Sequence, residues 1–544
     1  MSATDLVSAL RGAVESAARA LRDGEATAQR PTLERPPKPE LGDYSSNAAM
    51  LLAGPLGDNP RSVAERLRSE LEADAALAPD LERIEVAGPG FVNFFLADSW
   101  YLRALDALLG AGEDLGPAPS KAPEKVLVEF VSANPTGPIH VGTARNAAYG
   151  DSLVRLLLAT GDEVEREYYV NDAGTQIARF ADSIAARMQG AEPPEDGYAG
   201  AYVTDVAERL AADGVDPGDR ETLELRGIEL MLDEIRQTLD RFGVRFDTWF
   251  SERSVYAKGE VDEALGELEK RGHTYRHEDA LWLRTTDFGD DKDRVLIRAN
   301  GEATYLTPDI AYHWDKLQRG FDRLINVLGA DHHGYVARVR AAIEALGADP
   351  ERFEALLMSL VHVVEQGERV QMSKRTGDFV TLEELMDDIG VDATRWFMLW
   401  RSHETTVDLD LELARSQSSE NPVYYVQYAH ARIASILRKA EGVEPAVALD
   451  AGRPHLEDSE KVLVKRLLEF PEEVRTAAQR RAPHRICAYS TAVAADFHAF
   501  YRDCQVVGAE GAGVETSRLA LCLATKRTIA AALGLLGISA PERM

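Results

Sequence analysis

Residues 126–170 constrain the fold of this chain more than any other stretch. Val126-Leu127-Val128-Glu129-Phe130-Val131 is a short run rich in β-branched residues, followed by a Pro/Gly loop. A helical pattern then runs from Val141 to Ala159, and a second strand-like run from Val164 to Val170 closes the unit. Strand, helix and strand within about 45 residues make a βαβ unit, which requires a parallel sheet with a right-handed crossover. A second unit is expected late in the chain, with a strand at Leu324–Leu328, a loop at Gly329–Gly334 and a helix at Tyr335–Leu346.

The 544 residues allow roughly three or four domains. Leu6, Leu10, Val14, Ala17 and Leu21 recur at helical steps, a Pro-rich break follows, and Val63–Leu77 reads as a helix stopped by Pro79. Arg83–Leu96 alternates around Gly88-Pro89-Gly90, so residues 1–110 read as a small α+β domain. Residues 111–124, rich in Gly, Ala and Pro, read as a linker, and 125–390 as the parallel-sheet domain. A largely helical, acidic insertion is expected at about 181–279. Thr381-Leu382-Glu383-Glu384 has capping-box spacing. From Asp392 onward only helical patterns are found, so 391–544 reads as all-α.

Composition removes several classes of protein. With 45% hydrophobic and 28% charged residues, the chain is neither disordered nor fibrous. Its longest apolar run, Ile529–Ile538, falls far short of the ~18 residues that span a bilayer. The N-terminus does not read as a signal peptide. Three cysteines without a Cys-x-x-Cys pair argue against a disulfide framework and a cysteine-based zinc site. A cytoplasmic location is expected. The net charge of −30 disfavours a polyanion partner, but it is uneven. Residues 421–544 hold 16 Lys/Arg against 14 Asp/Glu, whereas 191–240 hold 4 Arg against 14 Asp/Glu. Either a polyanion touches selected faces or the surface is tuned for solubility, and charge alone leaves both open.

The loop after the first strand, Ser132-Ala133-Asn134-Pro135-Thr136-Gly137-Pro138-Ile139-His140-Val141-Gly142-Thr143, joins a strand to a helix N-terminus, where free backbone N–H groups suit phosphates. His140 can add a donor there, and Gly142 permits close approach of a nucleoside; a polar cap is the alternative for the histidine. Some 230 residues later comes Val370-Gln371-Met372-Ser373-Lys374-Arg375-Thr376-Gly377, a polar loop whose cations could close over a triphosphate. A bare Ser-Lys pair is more often a solvated loop.

Together these stretches resemble the HIGH and KMSKS motifs of class I aminoacyl-tRNA synthetases. The flanking Glu129–Pro138 run resembles the arginyl-tRNA synthetase version of the first motif. Tyr305-Leu306-Thr307-Pro308-Asp309-Ile310-Ala311 and Gly329-Ala330-Asp331-His332-His333-Gly334-Tyr335 are similar to two further stretches of that family. Asp392-Ala393-Thr394-Arg395 resembles the Asp-Ala-Leu-Arg opening of its anticodon-binding domain. Gly88–Asn93 and Ala540–Met544 match as well, so the resemblance spans the chain. Two departures stand out: Thr143 replaces the second histidine of the first motif, and Gln371 and Arg375 replace the outer residues of the second.

The resemblance implies a multidomain α/β chain. Its parts are a class I Rossmann-type catalytic core with a helical insertion, a small N-terminal α+β domain that contacts tRNA, and an all-α C-terminal anticodon-binding domain. It implies ATP-dependent activation of L-arginine to an adenylate and transfer to the 3′ end of tRNA(Arg), with Mg²⁺ carried by the ATP. His140 and Lys374 would be catalytic, and Pro138, His140, Gly142, Thr143, Met372, Ser373 and Lys374 would bind ATP. Glu129, Ser132, Asn134, Tyr305, Asp309 and Asp331 would bind arginine. Tyr424, Tyr428 and Arg432 would bind tRNA, in a stretch where Tyr425, His430, Asn421 and Gln427 also suit contacts to unpaired bases. Glu129, a charge within an apolar run, is either an acceptor for substrate or a carboxylate at the mouth of the sheet. A planar guanidinium is received bidentately by carboxylates, which an ammonium cannot imitate, so no editing domain is needed, and the insertion is too short to hold one. Structural zinc is not expected from Asp331-His332-His333 or His313. No membrane partner is expected, and a monomer is. Two other readings remain: a non-catalytic tRNA-binding relative, and a class I enzyme for another amino acid, which would leave Asp309 and Glu129 unexplained.

Overall fold

The computed structural model describes residues 3–370, 380–449 and 454–544. The chain opens with α1 (Ala3–Ala20), β1 (Tyr44–Ser46), α2 (Ala48–Leu56), α3 (Pro60–Glu72), β2 (Leu81–Ala87), β3 (Phe91–Leu96) and α4 (Asp98–Gly110). The strands form an antiparallel sheet in the order β1-β3-β2, and Val63, Leu67, Phe94 and Leu102 are buried with the helices against it. This unit rests on the C-terminal helices through Asp98–Lys461 (2.7 Å), Asp43–Lys465 (2.7 Å) and Arg35–Glu469 (3.0 Å).

The parallel sheet follows. It begins with β4 (Lys125–Glu129), α5 (Val141–Ala159) and β5 (Glu163–Val170), within a few residues of the sequence expectation. α5 crosses so close to the strand end that a Cβ at Gly150 would lie 2.2 Å from the Phe130 ring. α6 (Thr175–Met188), α7 (Ala201–Ala212) and α8 (Arg220–Arg241) then close over their own core of Phe180, Ile184, Val203, Leu210 and Met231. The chain next returns to the sheet as β6 (Thr248–Ser251), parallel to β5. The stretch 181–279, read from sequence as one helical insertion, is thus interrupted by a core strand. β6 is only four residues long, and it lies between α8, which ends at Arg241, and α9, which starts at Glu252 directly after it. Beyond it lie α9 (Glu252–Ala257), α10 (Glu260–Lys270) and the antiparallel β7 (Thr274–His277), β8 (Ala280–Leu283) and β9 (Arg294–Ile297).

α11 (Leu306–Gln318) leads to β10 (Arg323–Gly329), α12 (His333–Ala345) and β11 (Phe353–Met358). The sheet has the order β11-β10-β4-β5-β6, and every neighbouring pair is parallel. β12 (Val361–Glu365) and β13 (Glu368–Arg369) form a hairpin. α13 (Leu382–Leu399) starts at Thr381, where the capping box read from sequence is present. β14 (Val407–Asp410) pairs in parallel with β12, so a strand lies inside the stretch that showed only helical patterns. α14 (Leu411–Arg415), α15 (Pro422–Lys439), α16 (Asp458–Leu468), α17 (Phe470–Gln479), α18 (His484–Asp503) and α19 (Val514–Leu535) complete the chain as a helical domain. Among the described residues no helix is long and apolar enough to cross a membrane.

Candidate active site

From β4 the chain crosses through α5 to β5 on one side, whereas β10 lies on the other side of β4. The carboxyl ends of β4 and β10 therefore border a topological switch point, where such sheets open a ligand crevice. Leaving β4, Val131 (φ 69°) and Ser132 (φ 43°) take left-handed conformations that non-glycine residues rarely adopt, the β-branched Val131 least readily. This turn carries residues 132–137 over the sheet end. Ser132 Oγ donates to Glu129 Oε1 (3.1 Å) and accepts from the Tyr169 N–H (3.2 Å). Tyr202 from α7 donates to Thr136 O (3.0 Å), so the helical insertion braces the loop.

His140 is the N-cap of α5. Its Nδ1 accepts from the Gly142 N–H (3.1 Å), and Thr143 Oγ1 lies 3.2 Å from Nε2. The space a side chain would need at Gly142 is taken by this ring, 3.1 Å from the position of a Cβ. Thr143, where the motif has a second histidine, thus meets the first one. Backbone bonds from Val141 N–H to Val380 O (3.0 Å) and from Leu382 N–H to Ile139 O (2.7 Å) tie this helix start to the residues just before α13. Met372, Ser373 and Lys374 lie outside the described residues. The residues on either side of that stretch are placed: Val370 donates to Val363 O (2.9 Å) on β12, and Val380 O accepts from the Val141 N–H at the start of α5.

Strand register aligns Glu129 of β4 with Glu167 of β5 and Asn326 of β10. α11 crosses over them and lowers Tyr312 and Lys316, one turn apart, onto the row. Lys316 Nζ lies 2.5 Å from Glu129 Oε2 and 3.3 Å from Asn326 Oδ1. Tyr312 donates to Glu167 Oε1 (2.6 Å) and Glu129 Oε2 (3.1 Å), and Asn326 Nδ2 donates to Glu129 Oε2 (2.8 Å). Arg319 reaches Glu167 Oε2 at 2.7 Å. Burial alone would raise the Glu129 pKa, but the Lys316 ammonium outweighs it and holds the carboxyl below its ordinary value. Glu167 stays above its ordinary value because burial dominates.

Asp309 begins the same face of α11. Its carboxyl makes no ion pair among the described residues, and burial, reinforced by Glu252 and Glu129, pushes its pKa up to about 7. Glu252, at the start of α9, is raised by burial and by Asp172. His313 is buried, its Nδ1 lies 2.8 Å from Asp309 O, and burial lowers its pKa to about 3, so it is neutral. Glu129, Asp309 and Glu252 therefore converge at this end of the crevice, and among the described residues only Glu129 has an ammonium beside it.

The structure gathers Glu129, Ser132 and Asp309 here. Asn134, at the rim, donates to Gln176 Oε1 (2.5 Å). Pro138 lies partly exposed on the loop before His140. Tyr305 is 82% exposed and does not pack beside Asp309, and the Asp331 side chain stands in solvent at the end of β10. Glu252, Lys316, Tyr312, Glu167 and Asn326 were missed from sequence. Lys316 and Tyr312 carried one signal, their i, i+4 spacing on the helix that holds Asp309; the others depend on strand register. Among the described residues, no three His, Cys, Asp or Glu side chains gather to hold a metal.

In the helical domain, the rings of Tyr424 and Tyr428 stack with centroids 6.2 Å apart, and His498 lies 6.1 Å from Tyr428. The Arg432 guanidinium covers Tyr501 at 4.4 Å and Tyr428 at 5.7 Å. With Tyr425 they line an open cavity of about 680 Å³. Asn421, Gln427 and His430 do not join it. They are buried and bonded to Ala414 O and Ser416 O, to Asp392, and to Pro541 O respectively.

Comparison with known proteins agrees with this architecture. Residues 5–96 match the arginyl tRNA synthetase N terminal domain. Residues 105–194 and 211–417 match the class I (R) tRNA synthetase catalytic domain, and 426–544 match the DALR anticodon binding domain. The chain is 47% identical over 526 residues to the arginine–tRNA ligase of Geobacillus thermodenitrificans and 46% identical over 527 residues to that of Shouchella clausii, covering 94% of each chain in both cases. The solved Thermus thermophilus arginyl-tRNA synthetase superposes with a TM-score of 0.76 at 26% identity, over 98% of this chain and 100% of the other. The Mycobacterium tuberculosis methionyl-tRNA synthetase, at 13% identity and a TM-score of 0.55, shares the fold over 76% of this chain. Sequence, sheet and crevice lead to one assignment: the chain belongs to the arginyl-tRNA synthetase family of class I ligases.

Proposed function

We propose that this chain activates L-arginine with ATP and transfers it to the 3′ end of tRNA(Arg), with the crevice over β4 and β10 as the active site. The observation that carries the reading is Asp309, a half-buried carboxyl that makes no ion pair among the described residues and whose pKa is pushed up to about 7 by desolvation and by two neighbouring carboxylates. An entering guanidinium supplies the missing charge, and its planar donors suit paired carboxylate oxygens. Asp309 and Glu252 receive the guanidinium. Glu129, kept ionised by Lys316, Ser132 and Asn134 orient the amino acid, and Tyr305 and Asp331 turn in from the rim when it binds.

ATP, bringing Mg²⁺, lies across the N-terminus of α5 with its phosphates toward His140 and Lys374. Pro138, Gly142 and Thr143 shape one wall, and the resemblance of the second motif assigns Met372 and Ser373 to ATP as well. The arginine carboxylate attacks the α-phosphate in line, pyrophosphate leaves, and the tRNA hydroxyl then takes the arginyl group from the adenylate. His140, Lys374 and backbone N–H groups stabilise charge that develops at the phosphate, the contribution expected of preorganised donors. The Tyr424–Tyr428 cluster with Arg432 stacks unpaired bases of the tRNA. We propose a monomer that acts in the cytoplasm. Asp309→Ala tests the amino-acid site: the arginine KM rises strongly and the ATP KM does not. An unchanged arginine KM would place the guanidinium elsewhere.

A further inference from the structure

α5 starts at His140 in the crevice, yet along its length it is bonded to the C-terminal half of the chain. Arg145, 1% exposed, donates from Nη1 to Ser359 O and Thr405 O and from Nη2 to Ser402 O, each at 2.8 Å. Tyr149 donates to Arg481 O, and Ser152 Oγ donates to Leu535 O (2.8 Å) at the end of α19. Asp151 Oδ2 accepts from Arg155 Nε (2.8 Å) and from Arg395 Nη2 (2.6 Å).

Arg395 is fully buried on α13. Its Nε donates to Leu536 O (2.8 Å) and its Nη1 to Phe242 O (2.9 Å). The chain turns around it at Gly537 (φ 67°), where a Cβ would lie 2.3 Å from the guanidinium. Asp392, one turn earlier, accepts from the Ser539 N–H (3.0 Å) and from Gln427 Nε2 (2.7 Å). Both charged residues of the Asp-Ala-Thr-Arg stretch thus hold the segment that follows α19.

α13 packs along α5 and is tied to it at both ends of the contact: the N-caps Thr381 and His140 pair through the backbone, and Arg395 pairs with Asp151. Along α5 these are about 16 Å apart at ~1.5 Å per residue. Between them α13 is broken at Gly390 (φ 80°, ψ 161°). Its first half starts eight residues after Lys374 in the sequence, and its second half carries Arg395. α15 and α18, which hold the tyrosine cluster, both pack on α19.

We propose that Arg395 is a positioning residue that, through Asp151, fixes α5 and therefore His140 according to the seating of the helical domain. This rests on the tyrosine cluster being a tRNA contact. Bases stacked there bias α15, α18 and α19, the end of α19 moves with them, and the guanidinium passes the shift to α5. A buried cation with an ion pair and two carbonyl acceptors has few alternative arrangements, so small shifts are transmitted rather than absorbed.

The test is steady-state charging by the full chain with a tRNA(Arg) transcript and with the same transcript carrying replaced anticodon-loop bases. Wild type should lose kcat on the replaced transcript. Arg395→Lys should lower kcat on the native transcript by about fivefold or more, leave the KM for arginine and ATP within about twofold, and shrink the difference between transcripts to within about twofold. Ser152→Ala, which removes one hydroxyl bond to the end of α19, should move both quantities the same way by less, and it decides the matter if the lysine variant does not fold. A wild-type kcat indifferent to the replaced bases, or a wild-type ratio between transcripts in both variants, would overturn the inference while leaving the function intact. Failure of wild type to charge any tRNA with arginine would instead overturn the function.

Discussion

Lys316 Nζ lies 2.5 Å from Glu129 Oε2 with both side chains buried, while Asp309, seven residues earlier on the same helix, makes no ion pair among the described residues. The two carboxyls sit in one crevice and differ in one cation, which is why one is held ionised and the other is raised. Removing that cation should be costly. Lys316→Met leaves Glu129 buried and uncompensated, and should destabilise the protein by about 3–5 kcal/mol in denaturant titrations. Adding Glu129→Gln should restore much of that. A single variant within about 1 kcal/mol of wild type would show that the pair is not compensating buried charge.

Asp309 predicts two pH effects of opposite sign. Arginine needs the ionised form, so kcat/KM for arginine should rise with pH up to about 7 and then level, and binding below that pH should release a proton. Stability should go the other way. The folded state keeps the Asp309 proton between the ordinary value of 3.8 and about 7 whereas the unfolded state loses it, so stability falls as pH rises through that window. Asp309→Asn should therefore stabilise the ligand-free protein at pH above about 7 by up to a few kcal/mol, with no gain below the ordinary value of 3.8. Thermal melts across pH would check it; equal effects at both ends would contradict a raised pKa.

His140 both caps α5 and faces the proposed phosphate site, and the two roles can be separated. His140→Asn keeps a good N-cap acceptor while losing the imidazole. It should melt close to wild type yet form adenylate roughly 100-fold more slowly in single-turnover kinetics at saturating arginine. A rate within about threefold of wild type would remove His140 from the chemistry.

The first βαβ unit was legible because β4, α5 and β5 differ sharply in period and composition over short distances. β6 and β14, each four residues long and set among helices, were not. Part of the site was legible for a different reason. Glu129, Asp309 and His140 stand in motifs that resemble a family, whereas Glu252, Lys316, Glu167 and Asn326 reach the crevice only through strand register and the crossing of α11. The same limit misplaced Asn421, Gln427 and His430. Their polarity suggested RNA contacts, but the C-terminal segment and neighbouring backbone already occupy them.

The tyrosine cluster on an acidic protein predicts a contact made more by stacking than by charge. Tyr428→Ala should weaken tRNA binding by about 1–3 kcal/mol without changing adenylate formation. The logarithm of affinity should fall with the logarithm of salt at a slope equivalent to a handful of released counterions. A slope typical of about ten or more phosphate contacts would contradict this.

The central claim is that the surplus carboxylate charge around Asp309 selects arginine. Charging of total tRNA with each of the twenty radiolabelled amino acids tests it most directly. Arginine alone should be incorporated, with Asp309→Asn reducing that signal sharply; incorporation of another amino acid, or of none, would contradict it.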